Sequence, residues 1–308
     1  MPDHPRPQPV LGEQSPVAIF LVATVDDEEA VGAFLSRVTG VARVVGLQFP
    51  GSGLELVVGI GSDAWDRLFT GPRPALLRPF RAVHGDRHTA PATPGDLLFH
   101  LRATTQDACF ELAHRIAREL RGAATIVDEV HGFRYRESRD LTGFVDGTGN
   151  PTGRAAYEAV TVGDEDPAFA GGSYVHVQRY RHDLDAWDAL TEPEQERAIG
   201  RTKRDDRELD NSVQPPNSHV ALTSITDDDG RDLEIVRANL AYGNVGGEVG
   251  TYFVGYSRDP AVTERMLTNM VVGDPPGNHD RLLDFSTAVT GTAFFAPSVT
   301  FLEDPTGL

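Results

Sequence analysis

The stretch at residues 141–153, LTGFVDGTGNPTG, sets four glycines, a proline and an asparagine around one carboxylate, Asp146. Glycines let a backbone take positive φ and approach a flat partner closely, and they hold the aspartate on a rigid turn. A surface turn whose aspartate caps its own backbone has the same composition. A second segment, PPNSHVALTSI, places His219 after a double proline that stiffens the chain and before an apolar run. A histidine at that edge is either a satisfied core group or a functional one. In LEIVRANLAYG, Arg237 and Asn239 stand two apart and share one face of a strand. A cation beside an amide on an otherwise apolar strand calls for a buried anion or ligand; a wet edge strand is the plainer alternative.

Other chemistries lack their residues. No GxxxxGK[ST] occurs, and neither GIGSDA nor DGTGNPTG completes a GxGxxG after a strand, so ATP and NAD are unsupported. TDDDGRDLE has carboxylates and a glycine at the wrong spacing for a calcium loop and reads as a solvated turn. HExxH is missing. The single cysteine, Cys109, excludes an intrachain disulfide, a thiolate zinc cluster, an iron–sulfur centre and CxxCH haem attachment. With 46 acids against 28 bases the formal charge is −18, which argues against nucleic acid and against an anionic membrane surface. The N-terminus shows no secretory pattern, and the longest apolar run, near residues 17–25, is about half a membrane span; the expected location is the cytoplasm.

The elements that must hold these residues follow from periodicity. Four prolines among the first nine residues mark residues 1–15 as a mobile tail. PVAIFLVAT reads as a buried strand and DDEEAVGAFLSRV as a helix with acids in its first turn. VARVVGLQF and LELVVGIG read as two β-branched strands joined through Pro50, Gly51 and Gly53. DLLFHLRAT is a strand, residues 105–120 an amphipathic helix and AATIVDEVHGFRY a strand, giving βαββαβ. The second half repeats the order: SYVHVQRY matches PVAIFLVAT, and TYFVGYS with PAVTERMLTNM matches DLLFHLRAT with its helix. The offsets, about 157 and 155 residues, are nearly one register. The expectation is an α+β fold of two ferredoxin-like units, residues 16–140 and 141–308, each an antiparallel sheet with helices over one face.

GFVDGTGNP resembles the GxxDG signature of the dye-decolourising peroxidases, most like their B-type bacterial branch. HTAPATPGDLLFHLRA, IGRTKRDDREL, SHVALTS, EIVRANLAYG and LLDFSTAVTGTAFFAPS also resemble this family, in its order, so the likeness covers about residues 16–303. It implies two ferredoxin-like units of the dimeric α-β barrel superfamily, non-covalent haem b in the C-terminal half, hydrogen peroxide and an organic donor such as a dye or phenol as substrates, and a homo-oligomer. Carried onto this chain, it makes His219 the axial ligand to the iron. Asp146, Arg237 and Asn239 become the distal group, with Asp146 shuttling a proton and Arg237 stabilising charge. Gly147, Thr148 and Phe253 would adjoin the haem, and Asp284 in LLDF would be the carboxylate behind His219.

Three departures bear on that inference. Gly149 stands where many B-type members carry Glu, which weakens manganese oxidation; Ala241 replaces a common Pro, which would loosen the distal strand's exit; and FLEDPTGL lacks the usual targeting extension, which argues against cargo status in an encapsulin shell. The competing function is a haem carrier or haem-iron handler without peroxidase turnover. Retention of Asp146 and Arg237 counts against it, since a carrier needs only His219 and packing.

Overall fold

Eight runs rich in β-branched and aromatic residues become strands, most of them buried on both faces, while Ala124–Phe133 is largely exposed on one. The computed structural model describes residues 5–12 and 15–305. In the first half it contains β1 (Val17–Val25), α1 (Glu28–Leu35), α2 (Val38–Gln48), β2 (Glu55–Gly61), β3 (Leu97–Ala103), α3 (Gln106–Glu119) and β4 (Ala124–Phe133). The second half supplies β5 (Ser173–His182), α4 (His219–Thr223), β6 (Leu240–Gly243), β7 (Val249–Ser257), α5 (Pro260–Val271) and β8 (Thr292–Ala296).

Spatial order is β4-β1-β3-β2 in one half and β8-β5-β7-β6 in the other. Both read fourth, first, third, second, the antiparallel order of a ferredoxin-like unit, so the repeat expected from sequence is present. Two seams join the halves: β2 pairs β8 at Ile60 and Gly61, and β4 pairs β6 at Gly132 and Phe133. These seams close the eight strands into a barrel. Alternation along each strand then separates two kinds of core. Phe20, Val57, Leu98, Val130, Val175, Leu240, Tyr252 and Phe294, one from each strand, fill the interior. Ile19, Leu21, Val58 and Phe99 face outward under α1, α2 and α3, while Tyr180 packs outward against Leu267 and Val271 of α5.

Two sequence expectations change. VARVVGLQF is not a strand but most of α2. Val38, Val41, Ala42, Val45 and Phe49 meet the core at helical spacing, whereas Val44 and Leu47 are exposed. The expected N-terminal tail is docked wherever it is described, residues 1–4 and 13–14 lying outside the described set. Gln8 is buried; its Nε2 donates to Val58 O and Pro297 O, both at 2.8 Å, and its Oε1 accepts from Val58 N at 2.7 Å. Val10 joins the barrel interior. Ala241, for its part, is paired with Phe133 and Thr251, so the strand stays closed there without proline.

Gln8→Ala strands buried backbone groups and should lower the melting temperature by about 5 °C, from the 1–3 kcal/mol typical of each lost buried partner. Differential scanning fluorimetry showing no change would mean that the docked segment contributes nothing to stability.

Candidate active site

The glycine-rich loop leaves β4 and is braced on several sides. Arg139 Nη1 donates to Gly143 O (2.8 Å) and Lys203 O (2.7 Å). Buried Trp187 donates from Nε1 to Thr142 O at 2.9 Å and packs edge-on to Phe144. Thr148, expected beside the haem, is exposed and directs its hydroxyl to Asp206, so it braces the loop against the RDDREL segment. Gly147 takes φ +84°, a conformation other residues reach only with strain.

The loop is tied to the strand that carries Arg237. Asn150 Nδ2 donates to Arg237 O at 2.8 Å and its Oδ1 accepts from Arg237 N at 2.9 Å. Asn239 Nδ2 donates to Asp146 Oδ1 at 3.2 Å, while Asn239 Oδ1 accepts from Val254 N at 3.1 Å. Asp146, Arg237 and Asn239 are therefore one group assembled from two distant segments. Register fixes its side. Tyr252, Val254 and Tyr256 point into the barrel, so Gly255 and its partner Arg237 face outward, as does Phe253, whose ring lies over Gly255.

Helix α4 begins at His219, with Ser218 capping it by accepting from Ala221 N at 3.3 Å. Asn269 of α5 holds it in place by donating to Leu222 O at 3.0 Å. His219 Nδ1 lies 2.7 Å from Oδ2 of Asp280, a fully buried carboxylate whose Oδ1 accepts from Leu282 N at 2.9 Å. This corrects the sequence expectation: the carboxylate behind His219 is Asp280, not Asp284. Asp280 caps the start of the 3-10 turn Arg281–Asp284 and Asp284 ends it, and at three residues per turn positions four apart diverge by about 120°. Asp284 instead meets His88, His279 and Arg281. The acid just before the RLLD turn, at its cap position, was the signal available in the sequence.

Asp140 also escaped the sequence reading. Its Oδ1 accepts from Thr142 N (3.0 Å), Thr142 Oγ1 (2.5 Å) and Phe144 N (3.3 Å), setting the start of the glycine loop. Burial, chiefly, pushes its carboxyl up to about 6, and the charge of Asp146 adds to the effect.

These residues fit non-covalent haem b. His219 has Nδ1 engaged and Nε2 left to ligate iron; Phe253, Leu267, Met270 and Leu283 belong to one apolar cluster in the same half, Leu267 and Met270 on α5, against which α4 packs. The Arg237 guanidinium, without an ion pair among the described residues, is available to an anionic group. A closed barrel of two ferredoxin-like halves with this donor set is that of a haem-dependent oxidoreductase. The Dyp-type peroxidase family models match residues 7–134 (N-terminal) and 137–301 (C-terminal). A dye-decolorizing peroxidase of Mycobacterium tuberculosis is 61% identical over 302 residues, 97% of this chain and 90% of that protein. The encapsulated DyP-type peroxidase of Mycobacterium smegmatis superposes with a TM-score of 0.96 at 60% identity, covering 98% of each chain. DypB of Rhodococcus jostii RHA1 gives 0.94 at 54%, covering 97% of each, and variants of that DypB are known in complex with heme. The chain belongs to the Dyp-type peroxidase family, closest in kind to the B-type branch, and is a haem-dependent peroxidase that uses hydrogen peroxide and an electron donor.

Replacing Asp280 by Asn should raise the haem reduction potential, because the imidazole loses its anionic partner, while Asp284→Asn should leave it near the parent value. Spectroelectrochemistry giving the larger shift for Asp284→Asn would show that Asp284, not Asp280, supports His219.

Asp140 has a folded pKa raised above its unfolded value near 4, so the folded state holds that proton more tightly between about pH 4 and 6. Its contribution to stability is present below that window and lost as pH rises through it. Asp140→Asn keeps the acceptor and should flatten the fall in melting temperature over that interval; an unchanged slope would show that Asp140 is already ionised at pH 4.

Proposed function

We propose that His219, Asp280, Asp146, Arg237 and Asn239 carry the peroxidase reaction, with dyes and phenolic compounds as one-electron donors. The observation that carries this reading is the Asn150 bracket on the Arg237 backbone together with the Asn239–Asp146 bond. Haem, when bound, supplies iron that takes two oxidising equivalents from hydrogen peroxide and returns them to donors one electron at a time. His219 Nε2 would hold the haem iron, and Asp280, which engages Nδ1, would keep the imidazole oriented for this and raise its basicity. Asp146 takes the proton from one peroxide oxygen and delivers it to the other, which departs as water. Arg237 stabilises negative charge as the O–O bond breaks but holds its own protons too tightly to act as the base. Asn239 aims Asp146 through the 3.2 Å bond. Phe253 would pack against the haem, and Gly147, at φ +84°, would let the loop backbone approach it.

A Cβ at Gly149 would sit 3.3 Å from Arg237 Nη2, so a carboxylate there would reach the guanidinium. Its absence supports an organic donor over manganese. Among the described residues no single helix is long and apolar enough to cross a membrane. We place the enzyme in the cytoplasm as a homo-oligomer. The M. smegmatis relative, described as encapsulated, supports packaging in a protein shell for this chain too, against the expectation drawn from its C-terminal residues.

Arg237→Ala should lower the second-order rate constant for peroxide by about 10²–10³, as loss of a charge-stabilising donor does elsewhere, and Asp146→Ala by less. Stopped-flow traces with equal losses, or the opposite order, would require the two roles to be exchanged.

A further inference from the structure

Away from His219, two imidazoles and a carboxylate converge on one point. His88 Nε2 lies 3.0 Å and His279 Nε2 3.2 Å from the same oxygen, Asp284 Oδ1. The three ligand atoms lie within 4.8 Å of one another. The rings stand at 60° with centroids 4.7 Å apart, so their nitrogens meet at an angle and do not stack. Side-chain exposure is 21%, 16% and 17%, enough for solvent to reach the group and little enough to hold its rotamers.

We infer that His88, His279 and Asp284 form a binding site for one divalent cation of zinc's class, distinct from the haem site. Nitrogen and oxygen ligands about 2.0–2.2 Å from a four-coordinate ion lie roughly 3.0–3.5 Å from one another. That is the spacing each Nε2 already has to Oδ1. Two imidazoles with one carboxylate suit zinc, nickel, cobalt or ferrous iron, whereas magnesium and calcium take oxygen ligands. Arg281 occupies the other carboxylate oxygen, Oδ2, which fixes the carboxylate plane and turns Oδ1 to the histidines. Binding requires both Nε2 atoms unprotonated, so any proton they carry in the imidazole–carboxylate hydrogen bonds passes to solvent as the ion enters. Three protein ligands leave a fourth position to water.

The placement gives the ion a consequence. His88 comes from the hairpin at residues 83–90 in the first half, while His279 and Asp284 flank Asp280, the carboxylate that supports His219. A bound cation therefore clamps the hairpin to the segment behind His219 and stabilises both.

The test uses the haem-loaded enzyme, stripped with EDTA and titrated with zinc chloride by calorimetry. One strong site is expected, with a higher melting temperature once it fills. His88→Gln and His279→Gln should each weaken it at least tenfold, since losing even a group that only supports a ligand costs that much, while His114→Gln, an exposed control, leaves it unchanged. Zinc-edge anomalous diffraction from the unaltered holoenzyme should show a peak bonded to both Nε2 atoms and Oδ1. A peak elsewhere, no peak there, or equal affinity in both ligand variants and the parent would overturn the site and leave the cluster as hydrogen bonds alone.

Discussion

Barrel closure is the constraint on which the rest of the structure depends. Two ferredoxin-like sheets, each with free edges, remove those edges by pairing with each other, β2 with β8 and β4 with β6. Both seams run where the interior is crowded, and each has a glycine. A Cβ on Gly132 would come within 2.9 Å of Leu240 Cβ, and one on Gly59 within 2.9 Å of Phe294 Cβ. Side chains at those positions would push the halves apart. Inside, Phe20 stacks on Tyr252 and on His100, with centroids 4.2 and 4.7 Å apart, and His100 Nδ1 lies 2.7 Å from the Tyr256 hydroxyl. This column joins β1 and β3 of one half to β7 of the other, and burial holds His100 neutral by pulling its pKa well down.

Closure also determines what faces the site. Because Tyr252, Val254 and Tyr256 are committed to the interior, period-two geometry forces Phe253 and Gly255 outward, and the pairing of Arg237 with Gly255 takes the guanidinium to the same side. Asn239 follows at the next outward position, where its two amide ends are consumed by Val254 N and Asp146. The group of Asp146, Arg237 and Asn239 is thus set by sheet register, and the glycine loop is fitted to it through Asn150. His219 is positioned by a different device, a capped turn of helix leaning on α5, and its imidazole is oriented by a carboxylate with no exposure to solvent.

The fold was legible because it is written twice: each half carries a long apolar strand and, later, a strand–helix pair at almost one offset. Asp146, Arg237 and Asn239, which the structure brings together, and His219 could be singled out because a glycine-rich stretch, a cation beside an amide on an apolar strand and a histidine after a double proline are not explained by packing alone. What escaped was three-dimensional. VARVVGLQF is β-branched enough to pass for a strand, and only the exposure of Val44 and Leu47 between core positions reveals a helix. Choosing Asp280 over Asp284 needs the handedness and pitch of a 3-10 turn, which two acids four apart do not disclose. The N-terminal prolines signal extended backbone correctly, but extended backbone can dock, and Gln8 does so by satisfying groups on Val58 and Pro297. The roles of Asn150 and Asp140 are hydrogen bonds to backbone, which leave no periodic trace.

The charge balance sharpens the significance of Arg237. In a chain with 46 acids and 28 bases carboxylates are plentiful, and Arg67, Arg73, Arg78, Arg102, Arg201 and Arg258 each pair with one, whereas others such as Arg134 and Arg181 do not among the described residues. Arg237 has no such partner among the described residues, although Asp146 belongs to the same group. Two features keep it so. Asn239 takes one oxygen of Asp146, and position 149, from which a side chain would reach Nη2, is glycine. A guanidinium already paired would have little left to offer negative charge developing on peroxide, since its field would be compensated before the reaction began. With glycine at position 149, no side chain from there reaches Arg237 Nη2, and the guanidinium keeps its positive charge uncompensated by a carboxylate among the described residues.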